Sequence, residues 1–135
     1  MNVSSLGGER GGGKRTTAAQ RAAAKRSAAR IAKLSIVRRR LDGAAKLVVQ
    51  STDKQDPFGE RRLLRAAVRR AISAQSTLAS MQRRWKRDVT FLHHADKLQL
   101  HVTAERARFE RLLEKSDARV ATAVREAKRR SARRR

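Results

Sequence analysis

The chain has 135 residues and sets 35 Lys and Arg against 12 Asp and Glu, for a formal charge of +23 and a pI near 12.0. It contains no cysteine, which excludes disulfides, thiolate metal sites and thiol catalysis. With 27 Leu, Ile, Val or Phe, 23 alanines and four aromatics it supports only a modest helical core, and no apolar run exceeds three residues, so neither a bilayer span nor a secretory signal core is expected.

The charge is unevenly placed. Residues 1–40 carry +10, residues 41–59 carry −1, residues 60–87 carry +8, residues 88–127 balance to zero, and residues 128–135 carry +6. A compositional habit would spread arginine evenly. Three basic blocks around a balanced segment point instead to separate polyanion-contact surfaces flanking an element that packs on protein.

In chain order, residues 1–15 have glycine clusters and no apolar period, and read as a flexible basic tail that includes Lys14 and Arg15. The eleven bases of residues 1–40, among Ser, Thr and Ala with one acid (Glu9), also fit an organelle-targeting peptide. Gly11-Gly12-Gly13 counts against a continuous targeting helix, and a working basic arm fits equally well. From Thr16 or Thr17, both good N-cap types, a basic Ala-rich helix is predicted over residues 16–50. Its first half places Arg21, Lys25, Arg26 and Arg30 among alanines, a thin cationic rod that can approach phosphates closely. Its second half carries the stripe Leu34, Val37, Leu41, Ala45 and Val48. Gly43 within it costs about 1 kcal/mol relative to alanine, and the Asp42-Gly43 pair allows the helix to end there.

Residues 51–59 read as a loop, with Asp56 capping the next helix and Pro57 at its first position. The 76 residues beyond Gly59 contain neither glycine nor proline. As one helix they would reach about 114 Å, so a break is expected. Residues 60–130 are therefore predicted as a helical hairpin or a coiled-coil-like pair of long helices, with residues 131–135 as a basic tail. One stripe runs Leu64, Val68, Ile72, Leu78, Met81, Trp85, Val89, Leu92; the next runs Leu98, Val102, Phe109, Leu113, Val120, Val124, with Leu112 alongside. The pattern stutters over Phe91–Asp96, where Asp96 is placed to cap a new helix. The alternation Leu98 to Val102 also suits one short strand, but a lone strand has no pairing partner. Acids and bases from Glu105 to Glu126 intermix at helical spacing, as on a coiled-coil solvent face. The expected fold is all-α: basic tail and helix, then a long hairpin, then a basic tail.

Arginine outnumbers lysine 26 to 9. Guanidinium presents a planar fork that matches phosphate oxygens and stacks on bases, which suits folded RNA. Candidate RNA contacts are thus the tail and first-helix bases already named and four further clusters. These are Arg38-Arg39-Arg40; Arg61, Arg62, Arg65, Arg69 and Arg70; Arg83, Arg84, Lys86 and Arg87; and Lys128, Arg129, Arg130, Arg133, Arg134 and Arg135. In the second cluster Arg62, Arg65, Arg69 and Arg70 lie opposite Leu64, Val68 and Ile72, and residues 60–87 hold one acid against nine bases, which is more than a solvated face needs.

Trp85 between Arg84 and Lys86 could stack on a flipped base, although its spacing from Met81 and Val89 favours packing. His93, His94 and His101 with Asp96 do not converge as zinc would require, since adjacent histidines diverge on a helix, and they read as surface or turn residues. Gly11-Gly12-Gly13-Lys14-Arg15-Thr16 only echoes a phosphate-binding loop, lacking the preceding strand and the first glycine's spacing. No catalytic residue, metal ligand or cofactor is expected, and no enzymatic activity.

At the level of class, a small, cysteine-free, Arg-rich chain with basic ends and a limited helical body resembles ribosomal proteins. The basic helix from Ala18 to Leu34 followed by two more helices is similar to a three-helix protein of the bacterial small subunit; no specific motif carries this likeness, and no residues are transferred from it. The resemblance implies RNA-threading tails that order on assembly, ribosomal RNA as partner, no catalysis, and a place in a ribosome, whether cytosolic or mitochondrial. On the charge pattern, the balanced 88–127 segment would meet neighbouring ribosomal proteins; no membrane or small-molecule substrate is expected. Two rivals share the charge: a DNA-compacting protein, and a structural protein on an acidic lattice such as microtubules.

Overall fold

In the computed structural model, residues 17–134 are described and form three helices: α1 (Ala18–Thr52), α2 (Pro57–Arg84) and α3 (Val89–Arg134). The expected tail over residues 1–15, with Lys14 and Arg15, lies outside the described residues, as does Arg135. No described residue is in a strand, and Leu98 to Val102 are helical.

Each helix start has a local chemical cause. Thr17 and Gln20 form a reciprocal capping box: the Thr17 hydroxyl accepts from the Gln20 amide at 3.0 Å, and the Gln20 side chain accepts from the Thr17 amide at 2.8 Å. The Asp56 carboxylate accepts from the amides of Phe58 (3.0 Å) and Gly59 (3.2 Å), with Pro57 at the first helical position. At α3, the Asp88 carboxylate accepts from the Phe91 amide at 3.0 Å and its carbonyl accepts the Leu92 amide at 2.9 Å.

Several boundaries differ from the sequence expectation. α1 runs through Gly43, as a helix over 16–50 requires and unlike the alternative end at Asp42-Gly43, while the loop expected over 51–59 shrinks to residues 53–56. Leu41, Ala44 and Val48 pack on both sides of the glycine, and their burial outweighs its propensity cost. The break between the second and third helices falls at Trp85–Asp88, not at Phe91–Asp96, because Asp88 supplies the cap while Phe91 and Ala95 are buried inside α3. α3 continues to Arg134, so the expected tail at 131–135 is helical through Arg134.

Neighbouring helices are antiparallel. Arg40 of α1 donates to Ser73 (3.4 Å) and to Thr77 of α2, and Arg70 lies beside Gly43. Between α2 and α3, Gln82 donates to Asp96 (3.0 Å) and Gln99 (2.9 Å), Arg106 to Gln75 (2.6 Å), and Arg119 Nε to Glu60 (2.9 Å). Leu34, Val37, Leu41 and Val48 from α1, Leu64, Val68 and Leu78 from α2, and Phe91, Leu98, Val102 and Phe109 from α3 fill one core. Ala44, Ala67, Ala71, Ala74 and Ala95 are fully buried among them, where a small side chain lets helix backbones approach.

The registers leave two overhangs. Ser27 is level with Asp88 at the start of α3, so residues 17–26 extend past the α2–α3 turn, and every one of them is exposed. At the other end Arg119 is level with Glu60 near the start of α2, so α3 beyond about residue 124 extends past the bundle, exposed throughout.

Candidate nucleic-acid interface

The acids of the chain are largely spent on the bundle itself. Asp88 pairs with Arg30 at 2.9 Å, Asp117 lies 3.9 Å from Arg61 and 4.0 Å from Arg65, and Glu60 holds Arg119 across helices. Within α3, Glu105 pairs with Arg108, Glu110 with Arg106, and Glu126 with Arg130. Five of the seven acids of residues 88–127 thus have ion-pair partners among the described residues. Of the candidate contacts, Arg30, Arg61, Arg65 and Arg130 are engaged with acids.

The rest of the candidate set sorts into four places. On the first overhang stand Arg21, Lys25 and Arg26. Along the outer side of α2 lie Arg62, Arg65, Arg69 and Arg70, all exposed, and Arg70 shares a groove between α1 and α2 with Arg39, Arg40 and Ser73. Arg39 also turns back to Ser35, at 3.3 Å to its hydroxyl, while Arg38 is exposed on the same helix. At the far overhang, Lys128, Arg129, Arg130, Arg133 and Arg134 project with Glu126 as the only acid of that stretch. Around the α2–α3 turn gather Arg83, Arg84, Lys86 and Arg87, with Arg83 reaching the Ser80 hydroxyl at 3.2 Å.

This last group is the most organised. Ala23, Arg26, Ser27 and Arg30 of α1 face Arg84 to Val89 across a cleft of ≈ 680 Å³. Its base is fixed by Asp88, whose carboxylate accepts from the Phe91 amide, the Ser27 hydroxyl (2.9 Å to each oxygen) and Arg30. Its side chain is 7% exposed. The Phe91 amide bond, together with Ser27 and Arg30, holds this carboxyl below the usual carboxylate range against the opposing effect of burial. Trp85 is half-buried, its ring edge-to-face with Phe91 at 5.0 Å, while the charged groups of Arg30 (5.5 Å), Lys33 (5.4 Å) and Arg84 (5.4 Å) lie over the indole. Packing, the favoured reading of Trp85 from its spacing, describes its inner edge; the cation-covered ring also lines the cleft. The cleft is not legible in the sequence, because Ser27 and Asp88 are 61 positions apart and nothing local marks their meeting.

His93, His94 and His101 are exposed on α3, and among the described residues no three His, Asp or Glu side chains converge to hold a metal. No described helix is long and apolar enough to cross a membrane. Comparison with protein-family models, curated proteins and solved structures returned no match for the chain.

Proposed function

We propose that the chain is a structural RNA-binding protein of ribosomal type, cytosolic or mitochondrial, that braces folded ribosomal RNA through Arg and Lys contacts to phosphate. One observation carries this: the overhangs, the outer side of α2 and the turn cleft hold most of the positive charge while contributing almost nothing to the core. Charge that folding does not use, and that repels itself, is retained at a cost to stability. Its counterpart is a polyanion whose condensed counterions are released on contact. Arginine in place of lysine favours folded RNA over a uniform duplex. The exposed side of α3, with Leu100 at 75% exposure, is the surface offered to neighbouring ribosomal proteins.

The test is affinity for folded ribosomal RNA and for duplex DNA of equal length at matched salt. Preference for the RNA with a steep decline in log affinity against log salt, by about 0.7 to 0.9 per phosphate contacted, is expected. Equal affinity for duplex DNA would move the assignment to DNA compaction. Partner capture from cells that survives nuclease treatment would move it to an acidic protein lattice.

A further inference from the structure

We infer that the cleft between α1 and the α2–α3 turn takes a single unpaired nucleotide of an RNA strand, holding its phosphate on Arg26, Lys86 and Arg87 and its base on the Trp85 platform. The inference rests on the RNA-binding proposal and adds which RNA feature is recognised.

Shape comes first. The cleft, ≈ 680 Å³, falls in the range of small-ligand pockets, roughly 300–1,000 Å³, whereas Arg62, Arg65 and Arg69 on the outer side of α2 line none of the described concavities. A helical flank rests on a convex cationic face; a concavity accepts a residue that has left the stack. Charge then fixes orientation. Arg26, Lys86 and Arg87 are exposed at the cleft and form no ion pair among the described residues, whereas Asp88, the only acid in the lining, turns its carboxylate inward to Ser27, Arg30 and the Phe91 amide. The cleft therefore presents cations to an incoming phosphate while its one acid is already occupied.

The platform supplies the base contact. Unpaired bases in RNA are held by stacking on aromatic rings or on guanidinium planes. Here Phe91 braces the indole from its edge, the Lys33 ammonium and the guanidinium groups of Arg30 and Arg84 lie over the ring, and the exposed Arg84 guanidinium, backed by the indole, is the plane on which the base stacks. Arg30 is itself tied to Asp88, so this arrangement exists before any ligand arrives, which lowers the ordering cost of binding.

Trp85 is the only tryptophan and the chain has no tyrosine, so its emission reports on the cleft without a label. The experiment titrates the full chain with a 5′-phosphorylated adenylate hexamer, with the same hexamer paired to its uridylate complement, with free AMP and with heparin. In parallel, retention of folded ribosomal RNA on filters is measured. The expected result is saturable quenching by the single strand, a markedly weaker response to the other three, and about tenfold weaker single-strand affinity in a K86Q/R87Q variant, whose two changed side chains are exposed and outside the core. An equal response to the duplex or to heparin overturns the inference, as does an unaltered variant. So does an equal response to AMP, which would make free nucleotides the ligand. Absent quenching with intact, salt-sensitive filter retention removes the cleft assignment and leaves the RNA-binding proposal standing; loss of both removes both.

Discussion

Arg30 and Asp88 meet at 2.9 Å across 58 positions of sequence, and through this one pair the N-terminal part of α1 is held against the turn that joins α2 to α3. Asp88 also accepts from Ser27 and caps α3 at Phe91, so a single carboxylate ties α1 to the start of α3 at the turn that follows α2. Replacing Asp88 by alanine should cost about 2 kcal/mol near neutral pH, about half from the lost cap and half from the hydrogen bonds, with the ion pair discounted because Arg30 is nearly a third exposed. Urea unfolding of the two proteins measures the difference.

The same carboxylate gives that difference a pH dependence. The Phe91 amide, with Ser27 and Arg30, holds its pKa in the folded protein below the ordinary aspartate value. Its contribution is therefore fully present above about pH 4 and is lost as pH falls through the lower folded value. Unfolding free energies of the parent and Asp88→Ala proteins should converge on acidification below that point. A gap of constant size down to strong acid would show that the carboxylate's charge plays no part in the junction.

Gly43 sits inside α1 with no special backbone angle, and a methyl group there would approach the Arg70 Nη1 atom to 2.9 Å. That atom is the end of a flexible, exposed side chain and can move aside. Gly43→Ala should stabilise the protein by somewhat less than the full propensity gain of about 1 kcal/mol, seen as a higher urea midpoint with unchanged slope.

Ser116 is fully buried in α3, and its hydroxyl has no hydrogen-bond partner among the described residues. Alanine removes the unpaired group and leaves little void. Ser116→Ala should raise stability by about 1 kcal/mol, whereas Phe109→Ala, at an equally buried site nearby on the helix, should cost about 3 to 5 kcal/mol. Thermal unfolding followed by circular dichroism resolves both signs.

Ending the chain after Val124 removes the far overhang, which buries nothing. The shortened protein should keep its unfolding transition within a few tenths of a kcal/mol, while the salt dependence of RNA binding flattens by several contacts' worth of slope. Loss of folding would instead assign the overhang a structural role.

How much of this could be read from residues depends on how local each cause is. The Thr17 and Asp56 caps were legible because a cap acts within three residues. The leucine and valine stripes of α1 and α3 were legible because each large side chain declares its own face, except at Val124, which stands 36% exposed. Ile72 and Val89 were assigned to the stripe of α2, yet stand 40% and 78% exposed. Ala67, Ala71 and Ala74 line the contact instead, since close helix approach selects small residues and alanine carries no face signal of its own. Val89 is exposed because the chain has already turned at Trp85–Asp88, with no glycine or proline to announce it. The cleft depends on two segments whose register only the folded bundle sets. The cationic clusters were all visible in sequence, but which of them are neutralised by Asp88, Asp117 and Glu126 was not.

The two overhangs project from opposite ends of a stiff rod. From Val89 to Arg125 along α3 is about 54 Å at 1.5 Å per residue. A polyanion gripped at both ends is therefore bound bivalently at fixed span: the second contact gains from high effective concentration only when its two anionic patches lie that far apart, and gains nothing from patches that are nearer or more distant. Adding or removing two turns in all three helices together would change the span by about 11 Å without touching a single charge, and would retune which folded shapes the molecule can bridge.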